Sequence, residues 1–151
     1  GCVVTEQAPV WHYEHGPIGR LMKVGYILLR REMQDLLKAS GLTHTQWSAL
    51  GVLLHSPGIT SSELEHILMI ERPSVTSLMN GLEKRGLIEK RNDPKDGRSK
   101  QIFLTDAGLK LAEQTQHFGM EVEQRVKKAM ADEDLEMLKK YLLKMIRALE
   151  K

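Results

Sequence analysis

The chain has 151 residues, of which 41% are hydrophobic and 28% are charged, as is usual for a globular protein with a core of its own. Twenty-two lysines and arginines against 20 acidic residues leave a net charge of only +2, so overall charge does not by itself indicate nucleic acid. No run approaches the roughly 20 apolar residues that span a bilayer, and a single cysteine excludes an internal disulfide and favours the cytoplasm.

The first element after an N-terminal arm, residues 1–16, is predicted to be a long helix. The arm lacks the charged start and apolar run of a signal peptide, and its first glycine suggests an altered native start. From residue 17, apolar side chains recur along one broad stripe, and Gly41 is expected to end the helix. The stripe consists of Ile18, Leu21, Met22, Gly25, Leu28, Leu29, Met33 and Leu36.

Two capping boxes predict the starts of the next two helices. In a capping box, a threonine hydroxyl accepts a hydrogen bond from the backbone N–H three residues later, and that residue's side chain reaches back. Thr43 and Gln46 have this spacing before a helix through Trp47 that stops near Pro57. Thr60 and Glu63 have it before a shorter helix with an apolar face.

A helix over residues 73–85 follows a tight turn through residues 69–71. Pro73 suits the first helical turn, where no N–H is needed, and Gly86 suits the left-handed position that ends a helix. One face has the apolar spacing i, i+3, i+4, i+7 at Val75, Leu78, Met79 and Leu82, and the other carries Ser74, Thr76, Ser77, Asn80 and Lys84. Two helices joined by a tight turn, the second polar outside, indicate a helix-turn-helix whose second helix enters the major groove.

A basic hairpin is predicted directly after this helix. Residues 87–91 and 100–104 have the composition of strands, and turn-forming residues fill the tip, residues 92–99, between them. The segment expected to contact DNA is residues 92–100. Residues 72–104 contain eight basic and four acidic side chains, a local net charge of +4. This concentration predicts a DNA-reading helix followed by a wing. The alternative is a solvated basic hairpin.

The C-terminal third is predicted to be helical. Thr105 and Asp106 are expected to cap a long helix from about 106 to 130. A last helix is expected to begin with the acidic residues 132–134, which the positive N-terminal end of the helix dipole favours. That helix has the 3-4 spacing of a coiled-coil seam at Leu135, Leu138, Leu142, Met145 and Leu149. We therefore expect residues 17–40, including Ile18 and Leu21, and residues 106–150 to be dimerisation helices of a two-fold homodimer. The alternative is an ordinary helix of the monomer core.

The predicted fold is therefore mainly α with a small β-hairpin wing: a winged helix-turn-helix over residues 43–105 plus terminal dimerisation helices. Over about residues 17–150 the chain resembles the MarR (multiple-antibiotic-resistance regulator) family of winged-helix regulators. The resemblance depends on the segments GLTHTQWSAL, TSSELEHIL, RPSVTSLMNGLEKRGLIEKR and DPKDGRSKQIFLTDAG, of which Asp96-Gly97-Arg98 and the following Leu104, Thr105 and Gly108 are quite specific. It implies an obligate dimer that controls transcription in the cytoplasm at the nucleoid. We expect a repressor of a palindromic double-stranded DNA operator, with no cofactor.

The resemblance also assigns roles to residues. Arg98 is expected to enter the minor groove, and Asp96 to hold its guanidinium and the wing in shape. Ser74, Thr76 and Ser77 match family positions that face bases and phosphates. Many members have a basic residue where this chain has Ser77. Arg72, just before the helix, is a candidate to compensate for the missing positive charge. The other expected DNA contacts are Ser61, Ser62, Asn80, Lys84, Arg91, Lys95 and Lys100.

The resemblance also implies that a small aromatic effector modulates DNA binding. In this family, phenolic ligands often enter between the dimerisation helices and the DNA-binding domain. Candidate cavity residues are Tyr26, Trp47, Met22, Met33 and Met69, with plain core packing as the alternative. A redox-sensing member is disfavoured because Cys2 lacks a basic neighbour that would activate it. A zinc-sensing member is another alternative, but the six histidines have no diagnostic spacing, so no metal site is predicted.

Two other classes of protein are alternatives to a DNA-binding regulator. A winged-helix module that binds protein would lack salt-dependent affinity for duplex DNA. An enzyme would need a catalytic constellation, and the sequence offers no Ser/His/Asp grouping, phosphate-binding glycine loop or paired carboxylates. The chain is therefore not expected to be an enzyme.

Overall fold

The computed structural model describes residues 12–151, so Cys2 and most of the predicted arm lie outside the described residues. The chain divides into two compact units, one ending at Gln116 and one comprising His117–Lys151. None of the described helices is both long and apolar enough to cross a membrane. The helices are α1 (Ile18–Leu37), α2 (His44–His55), α3 (Ser61–Leu68), α4 (Arg72–Lys84), α5 (Asp106–Thr115), α6 (Phe118–Lys128) and α7 (Asp132–Leu149), and the strands are β1 (Ile59–Thr60), β2 (Ile88–Asn92) and β3 (Lys100–Leu104).

The predicted end of the first helix at Gly41 and the predicted starts of α2 and α3 are confirmed. A 3-10 turn, Lys38–Ser40, follows α1 and ends at Gly41, whose φ of 69° is left-handed. Both capping boxes are complete: Gln46 donates its backbone N–H to the Thr43 hydroxyl over 3.1 Å, and Glu63 donates to Thr60 over 3.2 Å. These local bonds satisfy N–H groups that a helix start otherwise leaves without partners.

The core of the first unit is formed where α4 packs on its neighbours. Val75, Leu78, Met79 and Leu82, the predicted apolar stripe, are all buried. The helix begins at Arg72, one residue earlier than predicted, and Gly86 after it has a φ of 70°. Burying each such side chain contributes about 1.5–3 kcal/mol, so this stripe fixes which face of α4 is left for solvent.

The sheet has three strands in the order β1-β3-β2, all antiparallel. The hairpin of β2 and β3 was predicted, whereas β1 was not. Ile59 in β1 lies opposite Ile102 in β3, and both are buried. A two-residue strand is too short to show alternation, so only its partner strand reveals it.

The prediction of one helix from 106 to 130 is wrong, because the chain leaves the helix at Gln116 and His117. Thr105 caps α5 as predicted, with its hydroxyl accepting from the Gly108 N–H over 3.1 Å. At the other end, the Thr115 hydroxyl donates to the Leu111 carbonyl over 2.9 Å. Such back-bonding weakens and bends a helix. The division between the two units falls at this break.

The second unit consists of α6 and α7. Val122 in α6 and Leu135 in α7 are buried, and Lys139 lies 3.6 Å from Glu123. The bounds of α7 agree with the predicted last helix, whose first turn carries Asp132, Glu133 and Asp134.

Candidate nucleic-acid interface

The turn between α3 and α4 sets the angle of a helix-turn-helix. Met69 adopts a left-handed conformation with φ 53°, and its N–H donates to the carbonyl of His66 over 3.3 Å. Ile70 donates to the Glu65 carbonyl over 3.3 Å. The chain therefore reverses tightly and presents the polar face of α4 to solvent. Exposed residues on that face are Ser74, Thr76, Ser77, Asn80 and Lys84.

The tip of the wing is shaped by two aspartates. Asp93 accepts from the Lys95 N–H over 2.9 Å, and Asp96 accepts from the Arg98 N–H over 3.0 Å. The second oxygen of Asp96 accepts from the Ser99 hydroxyl over 3.3 Å. Asp96 therefore holds the wing in shape, as expected, but it does so through the backbone N–H of Arg98 and the Ser99 hydroxyl rather than through the Arg98 guanidinium. The Arg98 side chain is exposed.

A groove of about 410 Å³ lies between the helix-turn-helix and the wing, and we call it the reading groove. Its cations come from α4, β2, the tip and β3, and its hydroxyls come mainly from the start of α3. The lining residues are Thr60, Ser61, Ser62, Glu65, Arg72, Val75, Thr76, Lys90, Arg98, Ser99 and Lys100. Six expected DNA contacts are thus brought together: Ser61, Ser62, Arg72, Thr76, Arg98 and Lys100.

Strand alternation places two neighbouring basic residues of the wing on opposite faces of the hairpin. Lys90 lies opposite Ile102 and shares its face of the hairpin with Lys100, which places both lysines on the groove. Arg91 lies on the other face, where its guanidinium stacks 4.3 Å from the ring centroid of Phe103 and pairs with Glu89. The prediction named Arg91 and missed Lys90. The parity of residue numbers along β2 was the signal that could have separated them.

The remaining cations have different surroundings. Lys84 is exposed near the end of α4, and Lys95 is exposed at the wing tip, both outside the reading groove. The Arg85 guanidinium donates to the carbonyls of Ser40 and Gly41 over 3.1 and 3.0 Å. It therefore provides hydrogen-bond partners for the backbone that follows α1. Arg85 contributes to the local charge but is a structural residue.

The expected effector residues are dispersed. Tyr26 lies edge-on to His44 at 6.5 Å, His44 lies 5.8 Å from Trp47, and the Trp47 indole donates to the Thr115 carbonyl over 2.9 Å. Burial, and then the nearby positive charge of Arg30, lower the pKa of His44. Met33 is buried, Met22 lies partly exposed on α1, and Met69 is 91% exposed. Trp47 and Met69 line two openings that share no residue, so the structure separates them.

The residues expected at the dimer interface differ in their exposure. Ile18 and Leu21 are exposed on α1, and Leu138 and Leu149 are exposed on α7. Leu142 and Met145 are half-buried, whereas Leu135 is buried within its own chain. Within residues 12–151, no three histidine, aspartate or glutamate side chains come together as a metal site.

Comparison with known proteins identifies relatives of this arrangement. A model of the MarR family matches residues 40–99, from before α2 to the end of the wing tip. The HTH-type transcriptional repressor IacR of Pseudomonas putida is 26% identical over 112 residues, covering 74% of this chain and 67% of that protein. The multiple antibiotic resistance protein MarR of Salmonella typhimurium is 29% identical over 131 residues, covering 86% and 90%. A crystal structure of a Staphylococcus aureus MepR–DNA complex superposes with a TM-score of 0.82 at 28% identity, covering 88% of this chain and 98% of that one.

Proposed function

We propose that this chain, a member of the MarR family of winged-helix transcriptional regulators, is a dimeric repressor that binds a palindromic duplex operator and is released by a small aromatic molecule. The observation that carries the proposal is the reading groove. It gathers Arg72, Lys90, Arg98 and Lys100 around the hydroxyls that begin α3. The solved MepR–DNA complex of the same fold supports the choice of ligand.

The groove has the chemistry that duplex DNA requires. Lysines and arginines neutralise phosphates and release condensed counterions, which supplies affinity for any duplex. Hydroxyls and backbone N–H groups at helix starts bind phosphate oxygens and fix the register. Arg98, on a tip whose backbone is held by Asp96, can extend into a narrow minor groove, where the negative potential is strongest. The exposed polar face of α4 would then lie in the adjacent major groove.

Three single substitutions on the wing test this proposal: Arg98→Ala, Lys90→Ala and Arg91→Ala. Each removes one positive charge, so the three proteins have the same net charge. Arg98→Ala and Lys90→Ala should each weaken duplex binding roughly tenfold and reduce the salt slope by about 0.9. Arg91→Ala is the matched control, because Arg91 stacks on Phe103 on the opposite face, and it should bind nearly as tightly as the parent.

Fluorescence anisotropy with a labelled duplex, repeated over a series of salt concentrations, measures both quantities. Equal losses in all three variants would mean that the groove has no special role and only the net charge counts. An affinity of the parent protein that does not depend on salt would contradict duplex binding itself. It would favour a winged helix that binds protein.

The dimer is proposed because each unit leaves apolar side chains in water. Ile18, Leu21 and Leu28 on α1 and Leu138 and Leu149 on α7 are all exposed. A large apolar surface at a monomer's helices is ordinarily covered by a partner. In a closed two-fold dimer, both reading grooves would face one duplex, and such symmetry matches a palindromic site.

The effector is proposed to bind beside Tyr26, His44 and Trp47, where three aromatic rings lie within 6.5 Å of a neighbour and Arg30 provides a positive charge. Offset or edge-on stacking on these rings would favour an aromatic ligand. A ligand that binds only the folded state raises its melting temperature. Thermal-shift measurements with a panel of phenolic acids should therefore give a shift that Tyr26→Ala reduces. An equal shift in the parent and in Tyr26→Ala would exclude this location.

A further inference from the structure

The reading groove contains a carboxylate that DNA binding does not require. Of the described residues that line the groove, Glu65 alone is acidic. Its Oε2 lies 3.6 Å from the Nε of Arg72, across the turn between α3 and α4. Its backbone carbonyl also accepts from the Ile70 N–H, so Glu65 is fixed to the turn at two points.

Stability does not account for this ion pair. Glu65 lies in the last turn of α3 and Arg72 is the first residue of α4, so each charge is at the end of its own helix that the helix dipole disfavours. The Arg72 side chain is 79% exposed, and exposed ion pairs add little to folding. A carboxylate beside incoming phosphates also repels any duplex. Replacing Glu65 should therefore change the affinity for duplex DNA more than the free energy of unfolding.

The geometry of the pair leaves the reading edge of the arginine available. The approach is made to Nε, at one edge of the planar guanidinium. The two terminal amino groups can then donate together to one acceptor pair, such as O6 and N7 of a guanine. An arginine restrained in this way loses less side-chain entropy when it binds.

We propose that Glu65 is a specificity-determining residue: it weakens binding to every duplex and positions Arg72 so that the correct base edge restores the affinity. This inference depends on the proposed DNA-binding function. Specificity is a ratio of affinities, and a repulsive group raises that ratio when only the correct partner compensates for it. Glu65 acts through Arg72, so it is a positioning residue.

The test measures dissociation constants for a duplex selected from a random pool and for an unrelated duplex of equal length. The proteins are the parent, Glu65→Gln, Arg72→Ala and the double variant. Glu113→Gln is the matched control, because it removes one negative charge from an exposed position on α5 outside the groove. Circular dichroism confirms that each variant is folded.

We expect Glu65→Gln to tighten binding to the unrelated duplex at least threefold and to lower the specificity ratio by a similar factor. Glu113→Gln should leave the ratio unchanged. In the Arg72→Ala background, Glu65→Gln should no longer alter the ratio, because the residue it positions is gone.

Three results overturn the inference. An unchanged ratio in Glu65→Gln, or a change equal to that in Glu113→Gln, would leave Glu65 as one charge among many. A change that persists in the Arg72→Ala background would show that Glu65 does not act through Arg72. Parent protein that binds neither duplex would refute the proposed function and this inference with it. The first two results would overturn only the inference about Glu65.

Discussion

At the scale of single residues, Gly108 is under the tightest steric constraint of the glycines described in the first unit. A Cβ at this position would lie 1.9 Å from the carbonyl oxygen of Leu87 and 3.3 Å from the Leu104 side chain. The same carbonyl accepts from the Thr105 N–H over 3.1 Å, and the Thr105 hydroxyl donates to the Gly86 carbonyl over 2.6 Å. The first turn of α5 is therefore fastened to the segment that leads from α4 into β2, and only glycine permits the approach.

Gly108→Ala should lower the free energy of unfolding by about 2–3 kcal/mol, because backbone rather than a flexible side chain must move to admit the methyl group. Urea denaturation followed by circular dichroism, at one fixed protein concentration, measures the change. Gly51→Ala in α2 is the control: nothing lies within 4 Å of its added Cβ, and removing a helical glycine should raise stability by about 0.5–1 kcal/mol. Equal effects of the two substitutions would contradict the close approach at Gly108.

At the scale of elements, the sequence predicted what is encoded locally. The two capping boxes, the apolar stripe of α4 and the left-handed Gly41 and Gly86 each depend on residues within one or two turns, and each is confirmed. The wing strands were predicted to within one residue, because turn formers separate two β-rich runs. Of the candidate site, the predicted residues on α3, at the start of α4 and at the tip line one groove, and their contact with DNA stays a prediction.

What the sequence did not reveal depends on partners that are distant along the chain or on alternation. β1 is a strand only because Ile102 lies opposite Ile59. Lys90 faces the groove and Arg91 faces away because the pairing register puts Lys90 opposite Ile102. The break before α6 was missed because Thr115 is compatible with a helix, and only its back-bond to Leu111 indicates the bend. In each case the residue types are compatible with either structure, and the contacts made in three dimensions decide between them.

At the scale of the whole molecule, basic side chains and exposed apolar side chains lie in different parts of the chain. The basic residues are concentrated over residues 72–104, while exposed apolar side chains recur on α1 and α7. The basic residues suit DNA, and the exposed apolar side chains of each unit suit a copy of the same chain. Operator binding by two grooves would multiply the affinity of each, because the second contact becomes intramolecular once the first is made.

Leu138→Lys should therefore convert the proposed dimer to a monomer and weaken binding to a palindromic duplex much more than binding to a half-site. Leu138 is already 41% exposed, so a lysine there should leave α7 folded, whereas in a dimer it would bury an unpaired charge. Sedimentation velocity measures the assembly, and anisotropy measures the binding. Ile67→Lys on α3 is the control, since Ile67 is 49% exposed and lies outside the proposed interface.

A parent protein that sediments as a monomer at micromolar concentration, or a Leu138→Lys variant that stays as dimeric as Ile67→Lys, would remove Leu138 and α7 from the interface. A monomeric variant with full affinity for the palindrome would have a different meaning. One reading groove would then suffice for the operator, and sequence preference would have to come from contacts such as those of Arg72 and Arg98 alone. Because half-site affinity is measured in the same protein, the spacing of two grooves can be separated from the chemistry of each.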